Sequence, residues 1–297
     1  MRVERLWTAY ADGSARCLEP LADRFGELCG PELAVPWADG RIDACRTALR
    51  SGDLEAKCIA PCLSALAAAD RHDALVELFD GVDGLPWRIR KYVVQSLFAL
   101  GRKGEAHRCA KAGLCDDPVA IARTCEELLF SCSLRDEAYR RYGLVANRTE
   151  PASAWFQAVM ERYPTKSAVE VLGDLMALTP GKEASWFEVA FSAELFDEAM
   201  ELARWGRCAP EDLVDAAEYV AQTHPDFAMQ MGFAALQRMV AGYDEVNANG
   251  VIAAHALVLR TARALDATDS AVGQVQALVS GDSHGAWFVR KVLERRG

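Results

Sequence analysis

The chain lacks most of the marks by which a sequence declares its chemistry. There is no GxGxxG following a strand, no GxxxxGK[ST] phosphate loop and no HExxH. There is no CxxC pair and no HxxxH pair, so the usual four-ligand zinc sites are not spelled out. No apolar run reaches the eighteen or so residues that would span a bilayer. Basic charge is also short: 33 Lys and Arg against 43 Asp and Glu leave a net charge of −10, which repels a nucleic acid backbone. Alternating apolar and polar positions are missing too, and that argues against strands.

What remains is the composition of an ordinary soluble folded protein, with 51% hydrophobic and 26% charged residues over 297 positions. The opening "MRVERLWTAYADG" has no apolar core, so it does not read as a secretory signal, and a cytoplasmic location is expected. The ten cysteines are irregularly spaced and read as reduced structural thiols. The tightest pair, Cys58 and Cys62 in "CIAPC", has the i, i+4 spacing of two metal ligands, but two do not make a site. Cys109 and His107, two residues apart, fall on different faces of a helix. Adjacent acids such as Glu126 and Glu127 do not face each other on a helix either. No catalytic residue, cofactor or metal ligand is expected.

The stretch "ELLFSCSLRDEAYRRYGL" (Glu127–Leu144) belongs to a repeat. "SALAAADRHDALVEL", "SLFALGRKGEAHRCA", "LLFSCSLRDEAYRRY" and "VAFSAELFDEAMELA" align on Ala74, Ala106, Ala138 and Ala199, and Ala168 in "KSAVEVLGDLM" fills the one missing step. Pro86, Pro118, Pro151, Pro180 and Pro210 follow the five alanines by 12, 12, 13, 12 and 11 residues. Proline lacks an amide donor and tolerates the first turn of a helix, so it marks where each new helix begins. One rung is then a first helix, a turn of three or four polar residues ("GRKG", "SLRD"), and a second helix. Its opening acid (Asp73, Glu105, Glu137 or Glu198) suits the positive helix N-terminus. The alanine seats one helix closely on another, and Phe98, Phe130 and Phe191 are expected to plug the gap between the paired helices.

These features predict an all-α fold, an α-solenoid of stacked antiparallel helix pairs with a period near 31 residues. The chain reads as a single helical-repeat domain. Residues 1–57 hold N-terminal helices and a loop, "GPELAVPWADG" (Gly30–Gly40); residues 58–241 hold about six helix pairs; residues 242–297 hold capping helices. The small residue opening the second helix, with proline twelve positions on (Ala74 and Pro86, Ala106 and Pro118), resembles the tetratricopeptide repeat. The tryptophan and glycine of that family's first helix are replaced by Arg90 and Val94 in one rung. From Arg88 onward the chain also resembles an uncharacterised bacterial family of unknown function. The segments that carry this likeness are "RKYVVQSLFALGRKGEAHRCAKAG", "CEELLFSCSLRDEAYRRYGLVANR" and "WFEVAFSAELFDEAMELARWGRCAPEDLV". That likeness implies a helical-repeat fold and no activity.

In tetratricopeptide-like arrays the first helices line the concave face. Counting 15 and 11 residues back from the alanines gives Lys91 and Gln95, Arg123 and Glu127, Ser153 and Gln157, and Ala184 and Glu188. The candidate partner-binding residues are therefore Lys91, Gln95, Arg123, Glu127, Gln157 and Glu188. Cations at equivalent places on neighbouring rungs suit an acidic peptide segment or a free carboxylate. The expected function is a scaffold or adaptor that binds a peptide or protein in the groove. An enzyme with an unrecognised site stays open as an alternative. So does nucleic-acid binding through the belt 87–150, which carries 12 basic and 8 acidic residues.

Overall fold

The computed structural model of the chain describes residues 2–12, 21–112, 115–205, 208–242 and 247–295. The fold is all-α, and no strand occurs among the described residues. None of its described helices is long and apolar enough to cross a membrane. The chain divides into two compact units, Met1–Arg148 and Thr149–Gly297, joined through a short irregular stretch at 147–151.

The first unit begins with α1 (Arg2–Ala11), α2 (Phe25–Cys29), α3 (Pro31–Asp39) and α4 (Ile42–Ser51). It continues with α5 (Ile59–Ala68), α6 (His72–Leu78), α7 (Trp87–Ala99), α8 (Lys103–Lys111) and α9 (Pro118–Ser131). It ends with α10 (Arg135–Ala138), a π-helical turn (Tyr139–Gly143) and α11 (Leu144–Ala146). From α5 onward each helix packs on the next one in the chain, while α2 and α3 lie on α5. Leu63, Leu66, Leu75, Leu78 and Val94 form the fully buried centre of this unit.

The second unit contains α12 (Ala152–Arg162), α13 (Ala168–Leu178), α14 (Glu183–Ser192), α15 (Phe196–Trp205) and α16 (Pro210–Val220). It closes with α17 (Pro225–Val240), α18 (Ala248–Ala264), α19 (Thr268–Val279) and α20 (His284–Glu294). Most neighbours in sequence again pack together, α15 lies on α14 and α17, and α20 returns onto α17 and α18. That return is close. A Cβ on Gly285 would lie 2.3 Å from the Val240 carbonyl oxygen.

One turn recurs through both units. Asp70, Gly101, Ser133, Glu194 and Asp266 all have positive φ, between 54° and 76°. The residue after each (Arg71, Arg102, Leu134, Leu195, Ala267) donates its amide to a carbonyl five residues back (Leu66, Leu97, Leu129, Ala190, Ala262), at 2.8–3.0 Å. The left-handed residue itself donates three back, to Ala67, Phe98, Phe130, Phe191 and Arg263. This is the Schellman motif, which satisfies carbonyls that a helix end would leave orphaned. The next helix starts one residue later, so the link is shorter than three or four polar residues: Lys103 and Gly104 already belong to α8, and Arg135 and Asp136 to α10. Asp73, Glu105, Glu137 and Glu198 do lie in the first turns of their helices. Pro118, Pro210 and Pro225 open α9, α16 and α17, and Pro86 and Pro151 cap α7 and α12.

The register of small residues needs correction at two places. Ala106, Ala138 and Ala199 are each the fourth residue of their helix and fully buried. Ala74 is third in α6 and only half-buried; fully buried Leu75 takes the fourth place. Ala168 is the first residue of α13 and half-buried, with Val171 in the fourth place. α13 is not reached by the left-handed turn, because Pro164 follows α12 and Ser167 caps the new helix, its Oγ accepting from the Glu170 amide at 3.1 Å. A further member stands at Ala271, fourth in α19, 1% exposed, five residues after left-handed Asp266.

Two more expectations fail. "GPELAVPWADG" is helix α3: Pro31 occupies its first position, where no amide donor is needed, and Ala34, Trp37 and Ala38 are buried. Pro36 lies inside that helix and leaves one carbonyl without its helical donor. The three phenylalanines are not buried plugs. Phe98 is 38% exposed, and Phe130 and Phe191 are half-buried beside the turn.

Candidate functional site

Four helices each expose an expected site residue beside buried ones. Gln95 on α7 and Glu127 on α9 are exposed between buried neighbours, Val94 with Ser96 and Glu126 with Leu128. In the second unit Glu188 on α14 is exposed between buried Phe187 and Val189, and Gln157 on α12 is exposed beside buried Phe156. The helical period turns the flanking residues inward and these four outward.

The two candidate cations of the first unit have separate internal partners. Lys91 Nζ lies 2.6 Å from Asp23 Oδ2, and the Tyr92 hydroxyl approaches the same aspartate at 3.3 Å. Arg123 is exposed, and its Nη2 donates to the Ala146 carbonyl at 3.3 Å, at the negative end of α11. Lys91 is thus half-buried in an ion pair, while Arg123 turns an exposed guanidinium along a helix end. The belt around them is partly neutralised: Arg88, Lys91, Arg102, Arg140 and Arg141 are in ion pairs with Glu55, Asp23, Glu105 and Glu137.

In the second unit Glu188 and Ser153 line a cavity of about 180 Å³ with Lys182, Trp155 and Trp186. Trp186 Nε1 donates to Thr179 Oγ1 at 2.7 Å, which fixes the indole, and the two tryptophan rings lie 6.0 Å apart. Two carboxylates (Glu150 and Glu188), an ammonium and two indoles around so small a space suit a single polar side chain or a peptide group.

The structure also joins residues that sequence spacing left apart. His107 Nε2 lies 2.9 Å from the Tyr142 hydroxyl, which also bonds to the Cys125 thiol. His107 and Tyr142 are 35 residues apart, one rung plus about one helical turn, and that is the signal that could have found them. The π-helical turn carries Tyr142 to this place, and π-bulges inside helices are frequent at functional sites. Burial, with the charges of Lys111 and Arg141, lowers the His107 pKa and favours a neutral imidazole. Burial raises Cys125 and Tyr142. Glu126, 2% exposed, accepts from Asn147 Nδ2 at 2.7 Å, and the same amide donates to the Gly143 carbonyl at 2.8 Å.

Cys58 precedes α5 and is half-buried, while Cys62 is wholly buried with its thiol directed at the Ala38 carbonyl. A hydrogen bond with Cys62, and burial, push the Cys45 thiol far up. Cys17 lies outside the described residues. Among the described residues no group of three or more His, Cys, Asp or Glu is placed to hold a metal ion. Set against protein-family models, curated proteins and solved structures, the chain matches none of them.

Proposed function

We propose that the chain is an interaction scaffold: a tetratricopeptide-like array of stacked helix pairs that binds a peptide or protein partner along its first helices, in a cytoplasmic setting. The observation that most supports this reading is the exposed polar position repeated on α7, α9, α12 and α14 (Gln95, Glu127, Gln157, Glu188), each set into a buried helix face. Within each unit, a helix face with spaced polar points reads an extended chain through its side chains. In the first unit Arg123, with Lys91 beside Asp23, suits an acidic segment or a free carboxylate.

The test is affinity capture from host lysate by the intact chain, followed by titration of the retained partner against Arg123→Glu and Lys91→Gln. Lys91→Glu is the wrong variant, because it would set two carboxylates together at Asp23. The reading expects Arg123→Glu to weaken the captured partner by about tenfold or more, as for loss of a charge-assisted contact. A partner held equally by wild type and Arg123→Glu removes the groove assignment.

A further inference from the structure

Three turns of the repeat carry an aromatic residue at the same place, and two of them supply it with a cation. Phe98, Phe130 and Phe191 are each three residues before the left-handed residue of the turn. Five residues after the ring comes the first residue of the next helix. At Phe98 that residue is Lys103, whose ammonium lies 5.8 Å from the ring centroid. At Phe130 it is Arg135, with its guanidinium 5.2 Å away. At Phe191 it is Phe196, whose ring stands edge-on at 6.3 Å. The turn that lacks its own cation is built up with further rings. Phe191 meets Tyr219 at 6.2 Å and Phe227 at 6.1 Å, and Phe196 meets Phe227 at 4.8 Å and His224 at 4.6 Å.

The cluster grades from buried to open. Phe227 is 5% exposed, Phe191 and Phe196 are half-buried, and Tyr219 is 85% exposed. The chain that carries it is wholly acidic: residues 188–200 hold Glu188, Glu194, Asp197 and Glu198, residues 211–226 hold Glu211, Asp212, Asp215, Glu218 and Asp226, and neither stretch contains Lys or Arg. Of these carboxylates Glu218 is paired with Arg260 of α18.

We propose that this aromatic face of the second unit binds a basic peptide segment of a partner protein, with an arginine or lysine side chain stacked against Phe191, Phe196 and Tyr219. The occupant follows from the repeat. Ring quadrupoles attract cations, surrounding carboxylates strengthen the attraction, and the two sister turns already hold such a cation. The proposal goes beyond the groove reading, uses neither Lys91 nor Arg123, and asks for a partner of opposite charge.

The experiment is selection of a displayed random twelve-residue peptide library on the intact chain and on two variants. Phe196→Lys restores in cis the cation of the sister turns and should occupy Phe191. Tyr219→Lys places a positive charge at an open position that packing does not constrain. Circular dichroism and melting confirm that both fold. The wild-type pool should be enriched in Lys and Arg about twofold or more over the input, and its best peptide should bind each variant about tenfold or more weakly. A wild-type pool without basic enrichment, or an acidic pool, overturns this proposal, and an acidic pool would at the same time favour the groove. Basic enrichment that persists undiminished on both variants also overturns it, because the binding then lies elsewhere.

Discussion

The amide of Leu195 donates to the carbonyl of Ala190 at 2.9 Å across Glu194, whose φ is 58°. A glutamate pays a steric penalty in that region which glycine does not. Glu194→Gly is therefore expected to raise stability by about 0.5–1 kcal/mol, offset in part by the greater freedom of glycine in the unfolded chain. The mirror change, Gly101→Val, should lower it by about 1–2 kcal/mol. Denaturant melts of the two variants check both signs.

The seat of the second helix is tested by enlarging it. Ala106→Leu and Ala199→Leu add three carbons at fully buried positions and should each cost about 1–3 kcal/mol. Ala74→Leu, at a half-buried position, should stay within about 0.5 kcal/mol of wild type. Equal losses at all three sites would contradict the corrected register.

Gly285→Ala should be destabilising by about 1–3 kcal/mol, because its new Cβ would meet the backbone of Val240, which has no side-chain freedom with which to yield. Thermal unfolding followed by circular dichroism is sufficient to measure it.

His107 makes stability depend on pH. Its folded pKa lies below the ordinary histidine value of about 6.5, so the unfolded state takes up a proton first as pH falls. The contribution is intact above about 6.5 and is lost as pH falls through that value toward the folded pKa. His107→Gln lacks this dependence. The gap in melting temperature between wild type and His107→Gln should therefore move against wild type between pH 7.5 and pH 5. Parallel curves would show that the imidazole titrates alike in both states.

Much of the fold was legible because alanine, proline and the acidic helix starts obey local rules that neighbours do not override. Ala106, Ala138 and Ala199 show it: spacing alone put them at one helical position, and burial agrees. Residue type alone puts Ala74 and Ala168 in the same register, while the structure repeats a buried fourth position in each helix. Leu75 and Val171 fill the same place with larger side chains. Ser167 and Glu170 spell a capping box, a start signal that would have separated α13 from the others. Asp266 and Ala271 repeat the five-residue step from turn to seat, but an aspartate does not announce a positive φ as a glycine does. "GPELAVPWADG" has the proline and glycine content of a loop, but Pro31 stands at the first position of a helix, where proline is tolerated. For the site, spacing gave exposed helix positions well. It could not show that Lys91 meets Asp23, 68 residues away, because such pairing depends on how the N-terminal helices fold back.

The recurrence of one helix-ending turn through both units is the claim on which the seats, the aromatic positions and the interaction surfaces depend. Amide hydrogen exchange at Arg71, Arg102, Leu134, Leu195 and Ala267 tests it most directly. Each donates to a carbonyl five residues back, so all five amides should be protected by on the order of a hundredfold or more over an open turn. Exchange at the rate of a free loop amide at these positions would contradict it.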